Sequence, residues 1–299
     1  MRTSLILACS AVTAHAANIV MSNDDGWAEI NIRTFYQAII AAGNSAFISA
    51  PAENKSGSGS LDATPEKLDE PCEFNSCPTG SPATGNNASM PQFNYVNSYP
   101  VTSIKYGIQT LASTLLPGPI DIAVTGPNVG SNLGLTTQLS GTVGAATEAA
   151  KEGIPAIAFS GSSGDATAWN VPAPSYALVY ADLATNVTDT LLASGSPYLP
   201  KNVWLNVNFP DSDASTCSSA SDFKFVLSRI NTAVPIISGD DVSTCGNNKR
   251  LPTESDVVGT ARCYASISVG HADTKLTASA SEQSVVLQKL SSILSCLPS

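Results

Sequence analysis

Positive charge is scarce in this chain: 14 Lys and Arg stand against 24 Asp and Glu, giving a formal net charge of -10. That balance argues against a nucleic-acid backbone or an anionic membrane as partner. A small phosphorylated ligand stays open, because a bound cation inverts the local field. Charged residues reach only 13%, about half the usual share, and Ser, Thr, Asn, Gly and Ala fill the gap, as in many extracellular proteins. Histidine is nearly missing, with His15 and His271 the two present. That speaks against a Cys/His zinc centre and leaves no clear proton donor for a leaving group. No Gly-x-Ser-x-Gly elbow occurs, which counts against a serine hydrolase built on Ser160 or Ser162 with His271. No apolar run beyond the N-terminus approaches the roughly 20 residues of a membrane-spanning helix.

What is present begins with a leader. Arg2 precedes the apolar run Ser4 to Val12, and Ala14-His15-Ala16 fits a small-x-small cleavage pattern. Residues 1–16 therefore read as a secretory signal peptide and the protein as secreted. Cys9 lies in that leader, and Cys72, Cys77, Cys217, Cys245, Cys263 and Cys296 form an even set. In an oxidising compartment they read as up to three disulfides, with Cys72 and Cys77 closing a small loop and the other pairings open. Asn87-Ala88-Ser89 and Asn186-Val187-Thr188 are glycosylation acceptors if exposed. Asn54-Lys55-Ser56 also matches formally.

Hydrophobic residues make up 43% of the chain, enough for one large α/β domain over 17–299. Apolar runs at Asn18–Met21, Ala46–Ala50, Ile120–Val124, Pro155–Phe159 and Val203–Phe209 read as buried parallel strands. Helical spacing covers Ile30–Ala42, about Thr102–Leu115, Gly141–Glu152 and Ser175–Ala193, with a terminal helix over about Ser281–Leu294. The alternation predicts a doubly wound sheet. Residues 61–97, rich in Pro, Ser, Asn and Gly, read as an insertion stapled by Cys72 and Cys77. Residues 211–299 read as a C-terminal extension of short strand-like runs and turns ending in the helix.

Four segments carry chemistry, each after a strand or at a helix start. Asp24 and Asp25 sit past the first strand, where ligands bind in open α/β sheets, and adjacent carboxylates repel unless a cation or donors neutralise them. Asn54-Lys55-Ser56-Gly57-Ser58-Gly59 follows the second strand. Thr125-Gly126-Pro127-Asn128-Val129-Gly130-Ser131-Asn132 follows the Ile120–Val124 strand. Ser140-Gly141-Thr142 opens a helix, whose N–H groups and dipole favour an anion such as phosphate. Oxygen ligands without Cys or His suit a hard cation: Mg or Mn, with Ca also admissible. Together they suggest metal-assisted hydrolysis; a secreted protein that binds a phosphate ligand without catalysis is the alternative. The Asp24-Asp25 pair is not the Asp-x-Asp arrangement of aspartyl-phosphate enzymes.

Ser22-Asn23-Asp24-Asp25-Gly26, Asn54-Lys55-Ser56-Gly57, Gly126 to Gly134 and Ser140-Gly141-Thr142-Val143 resemble the signature segments of SurE nucleotidases. Gly153 to Ala158 and Leu205 to Pro210 also look like family segments, in the same order. The resemblance implies a Rossmann-like three-layer α/β/α core with a C-terminal strand or hairpin extension and one divalent metal. It places the metal ligands at Asp24, Asp25, Ser56 and Asn128, and the phosphate at Ser140, Gly141, Thr142, Asn132 and Gly130, with Asp24 and Asp25 catalytic. It implies removal of phosphate from nucleoside 5′- or 3′-monophosphates or other small phosphate monoesters, and a homodimer formed through the C-terminal hairpin. Three segments depart from the family pattern: Glu29-Ile30-Asn31 replaces its Ala-Pro-Gly, Gly126-Pro127-Asn128 its Gly-Ile-Asn, and Tyr99 to Ser103 its Thr-Pro-Ala-Asp-Cys.

Overall fold

A computed structural model describes residues 16–213 and 215–298; the leader and its cleavage pattern, up to His15, lie outside them. One sheet organises the chain. Its strands are β1 (Asn18–Ser22), β2 (Ser45–Pro51), β3 (Thr84–Asn87), β4 (Met90–Val96), β5 (Ile122–Val129), β6 (Ala156–Gly161), β7 (Val203–Phe209), β8 (Lys224–Ser228), β9 (Tyr264–His271) and β10 (Leu294–Ser295). They lie in the order β10-β8-β9-β7-β6-β5-β1-β2-β4-β3. From β4 to β7 all neighbours are parallel; β3 on β4 and β9 on β7 are antiparallel.

Parallel central strands are covered on both faces, so their residues are apolar on both sides. β1 is buried throughout, and β7 likewise. On one face α1 (Ile30–Ala41) and α5 (Ser175–Ala193) bury Ile32, Phe35, Ile39, Leu183, Val187 and Leu191 against Phe159 and Phe209. On the other, α2 (Pro100–Tyr106), its continuation through a π turn at Gly107–Leu111 into α3 (Ala112–Leu115), and α4 (Gly141–Lys151) cover Val20, Phe47 and Trp204. This is the expected three-layer α/β/α arrangement. Because β1, β5, β6 and β7 run the same way, their C-terminal ends deliver Ser22–Asp25, Asn128–Asn132, Ser160–Ser162 and Phe209 to one sheet edge.

Three segments differ from the sequence reading. Strand β5 does not stop at Val124: pairing breaks between Thr125 and Asn128, where the Gly126–Pro127 peptide is cis, and resumes as Asn128 and Val129 pair with Ser160 and Gly161. Residues 61–97 are not wholly irregular, since β3 and β4 form a hairpin and β4 pairs parallel with β2. Phe93 and Tyr95, alternating along β4, are buried against Tyr36 and Trp27, and that alternation is the signal that Pro and Asn neighbours obscured. The terminal helix α7 spans Ala280–Lys289, and Leu294–Ser295 pairs with β8 instead of prolonging it.

The C-terminal extension takes the strand form, and the expected hairpin is not there: among the described residues β8 pairs parallel with both β9 and β10, because a long crossover and not a tight turn joins them. β8 and β9 run parallel, joined by a long crossover carrying the one-turn helix α6 (Glu254–Val258). Three disulfides are formed, Cys72–Cys77, Cys217–Cys263 and Cys245–Cys296, using the whole even set. Among the described residues no helix is long and apolar enough to cross a membrane.

Candidate active site

The turn after β1 is shaped by Asn23, whose side chain accepts from the Gly26 N–H (3.2 Å) and donates to the Gly26 carbonyl (2.9 Å). Gly26 takes φ +109°, a backbone state that side chains disfavour. The clamp aims Asp24 and Asp25 inward, and both are 2% exposed. Asp24 Oδ2 accepts from the Gly141 N–H at the first turn of α4 (3.0 Å), and its Oδ1 accepts from the Thr142 hydroxyl. The Thr142 oxygen also lies 3.2 Å from Asn128 Oδ1. Asp25 Oδ2 accepts from the Val129 N–H (2.9 Å). Asp24, Asp25, Asn128, Gly141 and Thr142 are therefore gathered at one sheet edge.

Gly141 is required by contact. A Cβ there would sit 2.8 Å from Asp24 Cβ, 2.8 Å from Ser58 Oγ and 2.9 Å from Pro100 Cγ. Ser140 caps α4 by accepting from the Val143 N–H (3.1 Å). The helix start that the sequence offers to phosphate thus holds the protein's own Asp24 carboxylate, the charge its dipole favours.

The remaining residues are placed less directly. Ser56 is exposed on a turn that meets the site through its backbone, the Lys55 N–H donating to the Asp24 carbonyl (2.7 Å). No hydrogen bond among the described residues joins the Ser56 hydroxyl to Asp24, Asp25 or Asn128. Ser58, two residues on, has a buried hydroxyl without a hydrogen-bond partner, beside Gly141. Ser58 lies within the Asn54–Gly59 motif, where nothing in the sequence sets it apart from its neighbours. The Gly130 N–H donates to the Gly161 carbonyl (2.9 Å), and the Asn132 amide is buried and donates to Ser160 Oγ (2.9 Å). These two brace the loop from within.

Two acids were also missed. Glu29 is fully buried, caps α1 by accepting from the Asn31 N–H (2.5 Å), and keeps a second oxygen without a partner. Burial pushes its carboxyl up to about 8. Glu73 approaches Gly26 from the Cys72–Cys77 loop, and burial followed by the Glu53 charge raises it to about 7. Glu29 stood in the sequence only as a departure from the family pattern. Burial raises Asp24, and burial with the charges of Asp24 and Glu29 raises Asp25 well above the carboxylate range. Among the described residues no ion pair brings a cation to either aspartate; the nearby Lys55 is paired with Glu53 (3.1 Å).

His271 pairs with Val203, at the start of β7. It therefore lies at the opposite sheet edge from Ser160 and Ser162, and the serine-hydrolase alternative has no geometry.

The "Survival protein SurE" family model matches residues 19–230. This chain belongs to the SurE family. An acid phosphatase of Yarrowia lipolytica is 34% identical over 284 residues, covering 85% of this chain and 79% of that protein. A 5′-nucleotidase SurE of Lawsonia intracellularis is 30% identical, covering 64% of this chain and 66% of its own length. The crystal structure of a SurE protein from Aquifex aeolicus aligns with a TM-score of 0.61 at 21% identity, over 86% of this chain and 94% of that one, and shows the shared fold.

Proposed function

We propose that this SurE-family chain is a secreted, divalent-metal-dependent phosphatase acting on nucleoside 5′- or 3′-monophosphates or other small phosphate monoesters. One observation carries the reading: two adjacent, buried carboxylates meet Asn128 and the α4 N-terminus with no cationic side chain to balance them. Buried like charges of this kind are costly unless a cation neutralises them. The donor set tests the fit. No three His, Cys, Asp or Glu side chains cluster as ligands among the described residues, so the ion must share two carboxylates with neutral oxygens. Asp24, Asp25, Asn128 and the Ser56 hydroxyl supply that set, and all-oxygen coordination suits Mg or Mn. Three disulfides favour an oxidising compartment.

A divalent ion bound there supplies charge neutralisation at phosphoryl oxygens and a more acidic water. The chain's own residues do the rest. Asp24 and Asp25 would hold the ion, and the carboxylate of one of them would accept a proton from the attacking water. The Gly141 N–H and Thr142 hydroxyl keep Asp24 fixed, so its orientation is set before substrate arrives. Ser58, beside Gly141, offers an unengaged hydroxyl to a phosphate oxygen. Two copies associate through the C-terminal extension, where Val234, Ile236 and Ile237 are exposed.

The test is phosphate release from a panel of nucleotides and simple phosphoesters, with and without chelator. EDTA should silence the enzyme and Mg or Mn restore it, while Asp24→Asn abolishes turnover in a folded protein. Turnover that persists after thorough chelation, or in Asp24→Asn, would defeat the metal reading.

A further inference from the structure

The loop that leaves β5 is fastened by a residue beyond the family match, which ends at residue 230. Glu254, the first residue of α6, is fully buried. Its Oε2 accepts from the Gly134 N–H (3.1 Å) and its Oε1 from Asn206 Nδ2 (2.7 Å). Asn206 Nδ2 also donates to the Asn132 carbonyl (2.8 Å), which Asn208 Nδ2 reaches too (3.2 Å). The Asn132 N–H returns a bond to Asn208 Oδ1 (2.8 Å). A polar network under 132–134 thus ties this loop to β7, β6 and α6.

The same loop reaches the site at both ends. Upstream, the Val129 N–H holds Asp25 and the Gly130 carbonyl receives the Asn128 amide (2.6 Å). Downstream, the turn Gly134–Gln138 leads into Ser140 and Gly141. Two N–H donors converge on Glu254, so the position calls for a group with two acceptors; a glutamine of the same shape would present its own NH₂ to one of them.

We infer that Glu254 is a positioning residue for the phosphatase site, holding the 129–134 loop so that substrate binding depends on a carboxyl in the C-terminal extension. This rests on the phosphatase reading of the site. Glu254 makes no hydrogen bond to Asp24, Asp25 or Asn128 and acts through Gly134 and Asn206.

The discriminating variant is Glu254→Gln in the full chain, which keeps the packing and removes one acceptor. Val257→Ala, at a fully buried residue of the same helix, serves as the control for stability loss alone. Backbone amide exchange at Asn132 and Gly134, KM and kcat for a phosphomonoester, and the inhibition constant of inorganic phosphate are measured together. Glu254→Gln should speed exchange at Gly134 and raise KM and the phosphate constant, each about tenfold, with kcat within about threefold. Val257→Ala should lower Tm while KM stays within about twofold. Unchanged exchange in Glu254→Gln, or a KM rise shared by Val257→Ala, overturns the assignment. If Glu254→Gln does not fold, wild type is compared with and without inorganic phosphate: binding should slow exchange over 132–134 about tenfold, and unchanged exchange overturns it. If wild type releases no phosphate from any ester, the phosphatase reading falls by itself, and exchange and inorganic phosphate binding still decide whether Glu254 orders the loop.

Discussion

Stability should fall steeply as pH rises from 5 to 7.5 in the presence of chelator. Glu29 and Glu254 are each 0% exposed, and burial raises both from 4.5 to about 8. An acid whose folded-state pKa is raised keeps its proton in the native state over a range where the unfolded chain has lost it. The native state then binds more protons, so stability is fullest below about 4.5 and drains away up to about 8. Integrated between pH 5 and 7.5, each carboxyl contributes a loss of about 3 kcal/mol, and the two together about 6 kcal/mol. Glu73, raised to about 7, adds in the same direction. Lys275, lowered by burial to about 8, acts in the opposite direction, above this window. Urea unfolding followed by circular dichroism at fixed chelator gives ΔG at each pH, with the slope m as a check on the unfolded state. Glu254→Gln should flatten the profile by about 3 kcal/mol, whatever its absolute stability. A wild-type profile that is level or rising over this range, or a Glu254→Gln profile parallel to it, refutes the reasoning.

Asp25→Asn should abolish phosphate release yet raise metal-free stability by about 1–2 kcal/mol, because it removes the buried repulsion with Asp24; reduced stability in chelator would contradict the charge argument. Gly141→Ala should cut kcat/KM at least about 100-fold in a folded protein, since its methyl group must displace Asp24 or Ser58; near-normal kinetics would show that Asp24 need not sit against α4. Replacing Cys217 and Cys263 by Ser should cost about 4 kcal/mol, the loop-closure value for a separation of 46 residues, read by the same urea titration. A loss under about 1 kcal/mol would show that the extension is held without that crosslink.

Much of this architecture was legible because buried parallel strands are continuous apolar runs. β1, β6 and β7 needed nothing more than Ile19–Met21, Ala156–Phe159 and Val203–Phe209. Asp24, Asp25, Asn128, Gly141 and Thr142 were readable for a related reason: each follows a strand end or opens a helix, and parallel order brings those points to one edge. Ser58 escaped notice because what marks it is a hydroxyl buried beside Gly141, and a glycine's empty Cβ position leaves no mark in a sequence. Glu29 and Glu254 escaped because an isolated acid reads as surface until packing encloses it. The β3–β4 hairpin was hidden by composition, its buried Phe93, Tyr95 and Val96 standing among Pro, Asn and Gln.

Glu254 lies between Cys245 and Cys263, so the helix that bears it is pinned on one side to the chain terminus at Cys296 and on the other to the segment after β7 at Cys217. Thiol-rich surroundings would release both tethers together and leave that helix to find its seat by packing alone. A copy of the chain retained where glutathione is abundant would carry every ligand of the reaction centre and still hold the loop slackly. If the chain is secreted as proposed, oxidation on the way out would finish building it.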